Sequence, residues 1–206
     1  MGVWSERVVP RITNKVLASA DHAEIRQRVC GQLSGEVMEL GFGSGLNVPH
    51  YPPAVTRVTA VEPSDVAWTL SEKRRATAPV PVLRSGLDGQ RLPFADDSFD
   101  SVLSTWTMCT IPAVAAALSE VRRVLRPGGQ LLFVEHGAAP DASVLRWQRR
   151  IDPLQRRVFA GCHVSRPIDL LLTQAGLPPQ RLERFYAPKQ PRPFAHLYEG
   201  RSVKPA

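Results

Sequence analysis

Glu36-Val37-Met38-Glu39-Leu40-Gly41-Phe42-Gly43-Ser44-Gly45-Leu46-Asn47 joins a short apolar run directly to three glycines at alternate positions. Val37, Met38 and Leu40 suit a strand buried on both faces, as in a parallel sheet. Gly41, Gly43 and Gly45 allow a tight turn whose backbone a ligand can approach closely. Glu39 then stands at the strand's end, facing whatever binds there. A dinucleotide fingerprint, G-x-G-x-x-G, needs its third glycine at position 46, which is leucine. An acid two residues before the first glycine also opposes a pyrophosphate and favours a ligand with an ammonium group.

S-adenosylmethionine (SAM) has a cationic end and no phosphate, and E-x-G-x-G-x-G resembles motif I of the class I SAM-dependent methyltransferases. Three further segments follow in the order that this resemblance requires. Arg57–Glu62 reads as a second buried strand, ending in an acid 17 residues beyond Gly45 and able to bind both ribose hydroxyls. Pro63-Ser64-Asp65 then starts a helix. Ser85–Phe94 resembles the stretch that carries an acid over the adenine amino group, a place that falls to Asp88; Asp96 and Asp97 read as solvated turn residues. Leu125-Arg126-Pro127-Gly128-Gly129 punctuates a helix with the apolar stripe Val114, Leu118, Val121 and Leu125, and leads into a strand ending at Glu135-His136.

A narrower resemblance rests on Leu46–Pro53, Thr105–Ile111, Glu135-His136, Gly161–Arg166 and Ala195–Tyr198. These are similar to the methyltransferase-like 7 group, which includes animal thiol S-methyltransferases and small bacterial relatives. The resemblance implies an α/β, Rossmann-like class I methyltransferase fold: a seven-stranded, mostly parallel sheet of order 3-2-1-4-5-7-6, last strand antiparallel, flanked by helices. It implies SAM as cofactor, S-adenosylhomocysteine as product, and a cofactor site made of Glu39, Gly41, Phe42, Gly43, Gly45, Asn47, Glu62, Pro63, Leu87, Asp88, Gly89 and Thr105. Animal members carry an apolar N-terminal membrane segment, whereas residues 1–34 here are polar and charged.

A chain of 206 residues, 43% hydrophobic, can bury one substantial core. One domain, 1–206, is expected, with N-terminal lid helices in 1–34 and a cap insertion at 138–165. Ala187–Pro193 reads as the connection between the last two strands. Cys30, Cys109 and Cys162 form no C-x-x-C pair and are odd in number, and no apolar signal core or membrane span is present, so a cytoplasmic setting is expected. Net charge is +7, and much of it lies in Asp141–Arg157. There Val144, Trp147, Ile151, Leu154 and Val158 recur at helical intervals between Arg146, Arg149, Arg150, Arg156 and Arg157. Such a helix either caps the substrate site with its apolar stripe or makes peripheral contact with an anionic membrane. Apart from it, no basic tract interleaved with aromatic residues points to nucleic acid.

Methyl transfer from a sulfonium needs alignment and exclusion of water more than catalytic side chains. His136, at a strand end, and His163, near Arg166, are the candidate catalytic groups. Cys109 and Cys162 read as small buried hydrophobes, His22 as solvent-facing, and Trp4 and Ile12 as candidates for lining the acceptor pocket. His22, His50, His136, His163 and His196 are scattered, so no metal site is expected from them. The acceptor expected is a small, fairly apolar molecule, a thiol first. Alternatives are O-, N- or C-methylation of a phenol, heterocyclic amine, quinone or lipid, or a SAM-binding or nucleic-acid-binding protein without turnover. Oligomeric state is not legible.

Overall fold

The computed structural model describes residues 4–86, 88–159 and 161–205. Its seven strands are β1 (Gly35–Leu40), β2 (Val55–Val61), β3 (Val82–Arg84), β4 (Phe99–Thr105), β5 (Leu125–His136), β6 (Pro179–Tyr186) and β7 (His196–Val203). They form one sheet in the order β3-β2-β1-β4-β5-β7-β6. β1 to β5 pair in parallel, and β7 runs antiparallel between β5 and β6. The fold is the one that the resemblance implied.

Period-two alternation sorts the strand residues onto two apolar faces. Val37, Val58, Leu103, Leu132 and Val134 face one core, joined by Ile25, Val29 and Cys30 from α2 (Ala20–Cys30). Met38, Leu40, Val102, Leu131 and Phe133 face the other, against Val114, Leu118 and Val121 of α5 (Val114–Val124). Before α2 comes α1 (Val9–Val16). After β2 come α3 (Asp65–Leu70), started by Ser64, whose hydroxyl accepts from the Ala67 amide, and α4 (Glu72–Ala76). Leu125 is not the last residue of the helical stripe: α5 ends at Val124 and Leu125 already pairs with Phe99 as the first residue of β5.

α6 (Ala142–Val158) runs through Pro153 without interruption, and its buried face keeps Val144 and Ile151 of the expected stripe but not Trp147 or Leu154. Val144, Gln148 and Asp152 turn inward, whereas Trp147 and Leu154 are 56% and 65% exposed. The reason is polar. Gln148 accepts from the Ala139 amide (2.9 Å) and donates to the carbonyls of Gly137 (3.1 Å) and Pro193 (3.2 Å), and Asp152 accepts from the Val164 amide (2.9 Å). Pairing these four backbone groups, at residues 137, 139, 164 and 193, outweighs burying one more apolar side chain. α7 (Ile168–Gln174) and α8 (Arg192–Ala195) complete the chain, α8 lying in the β6–β7 connection.

Candidate active site

Between β1 and β4 the strand order reverses, and at the carboxyl end of that crevice an open α/β sheet binds its ligand. The glycine loop stands there. Gly41, Gly43 and Gly45 all take positive φ (73°, 58° and 75°). A Cβ on Gly41 would lie 2.2 Å from Thr107 Oγ1, while one on Gly43 would meet nothing within 4 Å. Gly41 is therefore dictated by packing, and Gly43 by the space it leaves open. Glu62, at the end of β2, accepts from the Gly43 amide (2.6 Å) and the Ser64 amide (2.7 Å). Burial raises its pKa and those two amides pull it down.

Glu39 is fully enclosed and its carboxylate is already engaged. It accepts from Asn47 Nδ2 (2.9 Å) and from the Tyr51 hydroxyl. Asn47 Oδ1 in turn accepts from Arg26 Nη1 (2.6 Å), and Thr105 Oγ1 accepts from both Asn47 (3.0 Å) and Arg26 (3.1 Å). Glu39 thus orients Asn47 from beneath, and the direct approach to a ligand's ammonium that the sequence suggested is taken by these partners. Burial pushes the Glu39 carboxyl up to about 7, with Tyr51 and Asn47 opposing.

That value sets a pH dependence. The folded state holds the Glu39 proton more tightly than the unfolded chain, so its contribution to stability is full below about pH 4.5 and is lost as pH rises through about 7. Between pH 5 and 8 the stability difference between wild type and Glu39→Gln is expected to change by on the order of 3 kcal/mol in favour of the glutamine variant. Urea unfolding of both proteins across that window measures it. A difference that does not vary with pH would show that Glu39 ionises as an exposed carboxylate does.

Arg26 is a residue that sequence reasoning missed. It lies on α2 among His22, Ile25, Val29 and Cys30, all buried, and is itself 4% exposed. A charged residue inside an apolar stripe was the available signal. Its guanidinium sits 4.7 Å from the Trp106 ring centre, and burial lowers its pKa to about 10 while Glu39 raises it. His22 is not solvent-facing: it is 5% exposed, bonded to Ser19 Oγ (2.6 Å) and edge-on to Trp106 at 5.1 Å. Its imidazole packs where an open histidine was expected, and burial lowers its pKa. Trp106 itself takes φ +51° just past β4, a conformation rare for a bulky side chain.

The remaining expected cofactor residues divide. Phe42 is buried and packs against Trp68 at 5.4 Å; Gly89 lies so close to Leu40 that a Cβ would approach Cδ1 to 2.5 Å. Pro63 is exposed. Asp88 is exposed too, with Oδ1 accepting from the Gln90 amide (2.9 Å) and side chain (3.0 Å), a turn-closing role. Leu87 lies outside the described residues. Asp96 and Asp97 are not merely solvated, since they pair with Arg123 (2.8 Å) and Lys204 (2.7 Å).

Past β4 and β5 lies a second group of residues. Glu135 is wholly buried and accepts from Ser104 Oγ (2.8 Å) and from the amides of Thr107 (3.0 Å), Met108 (3.0 Å) and Cys109 (3.2 Å). It fixes the loop after β4. Arg166, also buried, donates to the Met108 carbonyl, and the His163 amide donates to the Cys109 carbonyl (2.8 Å). Both candidate histidines therefore border the same loop. The His163 ring is half-buried, its pKa lowered by burial and then by Arg166. Cys109 and Cys162 are buried as expected but are neighbours, their sulfurs 3.6 Å apart and each 4.0 Å from His136 Nδ1. Histidine spacing alone could not reveal this group.

SAM fits these residues on three observations. Gly43 leaves open backbone beside the Glu62 carboxylate, an acceptor that would suit ribose hydroxyls. Arg26 Nε and Trp106 Nε1 are buried donors without a protein partner, as a ligand carboxylate would require. The Gly43 amide, a donor that a phosphate on this loop would use, is occupied by Glu62.

A family model described as a methyltransferase domain matches residues 38–133, from β1 to β5. The chain is 35% identical to the human thiol S-methyltransferase TMT1B over 179 residues, covering 83% of this chain and 72% of that protein. It belongs to the class I SAM-dependent methyltransferases, in the methyltransferase-like 7 group. The methyltransferase is 34% identical to rat TMT1B over 170 residues, 80% of its own length and 66% of the relative's, so it spans about two thirds of the length of that relative. A phosphatidylethanolamine N-methyltransferase of Cereibacter sphaeroides is 33% identical over 107 residues, covering 50% of this chain and 52% of that one. Among solved structures, a SAM-dependent methyltransferase of Methanosarcina mazei superposes with a TM-score of 0.65 at 20% identity, covering 84% of this chain and 94% of that chain, which bears on the fold. When bound, SAM would supply a methyl on a sulfonium.

Proposed function

We propose that the methyltransferase S-methylates a small, fairly apolar thiol. The observation that carries this reading is that the buried Arg166 and the half-buried His136 and His163 border one loop, beyond β4 and β5, that Glu135 pins. A guanidinium nearby favours a thiolate, a neutral imidazole can take the proton, and a thiol with a pKa of about 8.5 needs little more than that to react. Relatedness to TMT1B over most of the chain supports the same acceptor. In this reading Glu62 holds the ribose, Arg26 and Trp106 meet the carboxylate of the methionyl end, and residues 4–33 with 138–165 form a lid over the acceptor. The lid's two parts touch, Trp4 Nε1 donating to the Val158 carbonyl (2.9 Å), and α1 is tied to the glycine loop through Asn14 and Ser44 (2.8 Å). A transfer assay with small aliphatic and aromatic thiols beside matched phenols and amines tests it. Thiols are expected to react at least about tenfold faster; preference for a phenol or an amine would overturn the acceptor.

We also propose that the outer face of α6 meets anionic lipid. Trp147, Leu154, Phe159 and Trp4 are exposed there, and Arg146, Arg149, Arg150, Arg156 and Arg157 surround them. Aromatic and aliphatic groups ringed by arginine suit an interface in which the rings enter the headgroup layer. No helix among the described residues is long and apolar enough to cross a membrane. Flotation with phosphatidylserine vesicles is expected to carry the protein at low salt and to lose it when Arg149, Arg150, Arg156 and Arg157 become Gln. Equal flotation of both proteins would remove this role.

A further inference from the structure

Cys109, His136 and Cys162 come from three separate places: the loop after β4, the end of β5 and the segment following α6. Their donor atoms all lie within 4.8 Å of one another. The two sulfurs are 3.6 Å apart and each is 4.0 Å from His136 Nδ1. Zinc bonds of about 2.3 Å to sulfur and 2.0–2.1 Å to nitrogen, at tetrahedral angles, place such donors roughly 3.5–3.8 Å apart. A shift of a few tenths of an ångström in the half-buried His136 ring closes the remaining gap.

Two cysteines and one histidine are a donor set for a thiophilic cation of borderline softness. Three protein ligands leave one tetrahedral position for an outside ligand, the arrangement of catalytic rather than structural zinc. The surroundings balance the charge: two thiolates offset Zn2+, and the buried Glu135 and Arg166 offset each other alongside. Glu135 also positions the first ligand directly, through the Cys109 amide (3.2 Å). His136 ends β5 and the loop bearing Cys109 follows β4, at the same carboxyl end of the parallel strands as the glycine loop.

We propose that Cys109, His136 and Cys162 bind Zn2+ and that its fourth position receives the acceptor thiol as a thiolate. This deepens the thiol reading given above and rests on it for the identity of the fourth ligand. On metal binding both cysteine thiols release their protons to water; on acceptor binding the acceptor S–H does the same. The acceptor sulfur then gains the methyl carbon as that carbon's bond to the sulfonium sulfur breaks, and the neutral thioether leaves the metal. His136 is on this account a ligand rather than a base.

The reduced, metal-free full chain is titrated with Zn2+ against a chromophoric chelator. One equivalent is expected to bind with Kd below about 1 µM, and Cys109→Ser, Cys162→Ser and His136→Ala are each expected to weaken it on the order of 100-fold. Cys30→Ala, which alters the third thiol, keeps the metal. In the unmutated protein, bound Zn2+ protects Cys109 and Cys162 from alkylation, so the result does not depend on the variants folding. Co2+ in place of Zn2+ gives a thiolate-to-metal charge-transfer band, which 2-mercaptoethanol shifts in the absence of SAM. Failure to bind stoichiometric Zn2+, with a Cys109–Cys162 disulfide as the only modification found on oxidation, overturns the site. A cobalt band unmoved by the thiol overturns the open position. Full-rate thiol methylation by metal-free enzyme overturns the inference and leaves the thiol reading intact; bound zinc with preference for phenols or amines overturns both.

Discussion

Replacing Glu135 with alanine is expected to lower the unfolding free energy by about 4 kcal/mol or more. Ser104 Oγ and the amides of Thr107, Met108 and Cys109 all converge on this carboxylate in a place without exposure. Each buried donor left unpaired costs about 1–3 kcal/mol, partly recovered if the loop relaxes or water enters. Glutamine is informative because the two oxygens carry unequal loads. Oε1 accepts from Ser104, Thr107 and Met108, and Oε2 from Cys109 alone. Glu135→Gln can keep the first three and oppose its amide to the Cys109 N–H, so a loss of roughly 1–3 kcal/mol is expected. Urea unfolding at one pH orders the three proteins. Alanine and glutamine variants of equal stability would mean that the loop finds other partners, and that Glu135 does not hold it.

The second large effect falls on the cofactor. Gly41→Ala places a methyl 2.2–2.3 Å from Thr107 Oγ1 and Cγ2 and demands φ of +73° from a residue with a Cβ. Left-handed backbone alone costs about 1–2 kcal/mol in such a residue, and the clash cannot be relieved by Thr107 withdrawing, because its amide is held by Glu135. SAM affinity is expected to fall at least about 100-fold, equivalent to about 2.7 kcal/mol. Thr107→Gly in the same chain removes the obstructing atoms and should restore all but about tenfold of the loss. Gly43→Ala is the counterpart: nothing lies within 4 Å of the added carbon, so folding should suffer little beyond the backbone term, whereas cofactor binding should drop. Calorimetry with SAM measures all three. Normal affinity in Gly43→Ala would move the ligand away from this turn.

The sequence made the sheet legible because its evidence is local. A strand, a glycine turn and an acid at the next strand's end sit within 27 residues, Glu36 to Glu62, and each part carries its own backbone demand. The order of all seven strands followed from resemblance and agrees with the sheet. What escaped was what depends on folding to bring distant residues together. Cys109 and Cys162 are 53 residues apart and meet only because the loop after β4 and the segment after α6 come together at the carboxyl end of β4 and β5. Arg26 meets Thr105 across 79 residues, so no local motif tied it to the site. The stripe on α6 misled for another reason: hydrophobic spacing cannot register that Gln148 and Asp152 are needed to pair loop backbone. Glu39 was placed correctly at the strand's end, but Asn47 and Tyr51 take its oxygens, and nothing in the spacing announces a tyrosine reaching back to it.

The position of β7 bears on how the chain reaches this state. It hydrogen-bonds to β5 along one side and to β6 along the other, yet it is synthesised after both. β6 therefore has no place in the sheet until β7 exists, and β5 keeps an open edge in the growing chain. That edge carries Leu131, Leu132, Phe133 and Val134, all fully buried at the end. An unpaired apolar strand edge is a template for association with another chain. The nascent methyltransferase is thus most exposed to misassembly in the interval before its final strand closes the gap, and changes in β7 should reduce yield of the folded protein out of proportion to their effect on the stability of what does fold.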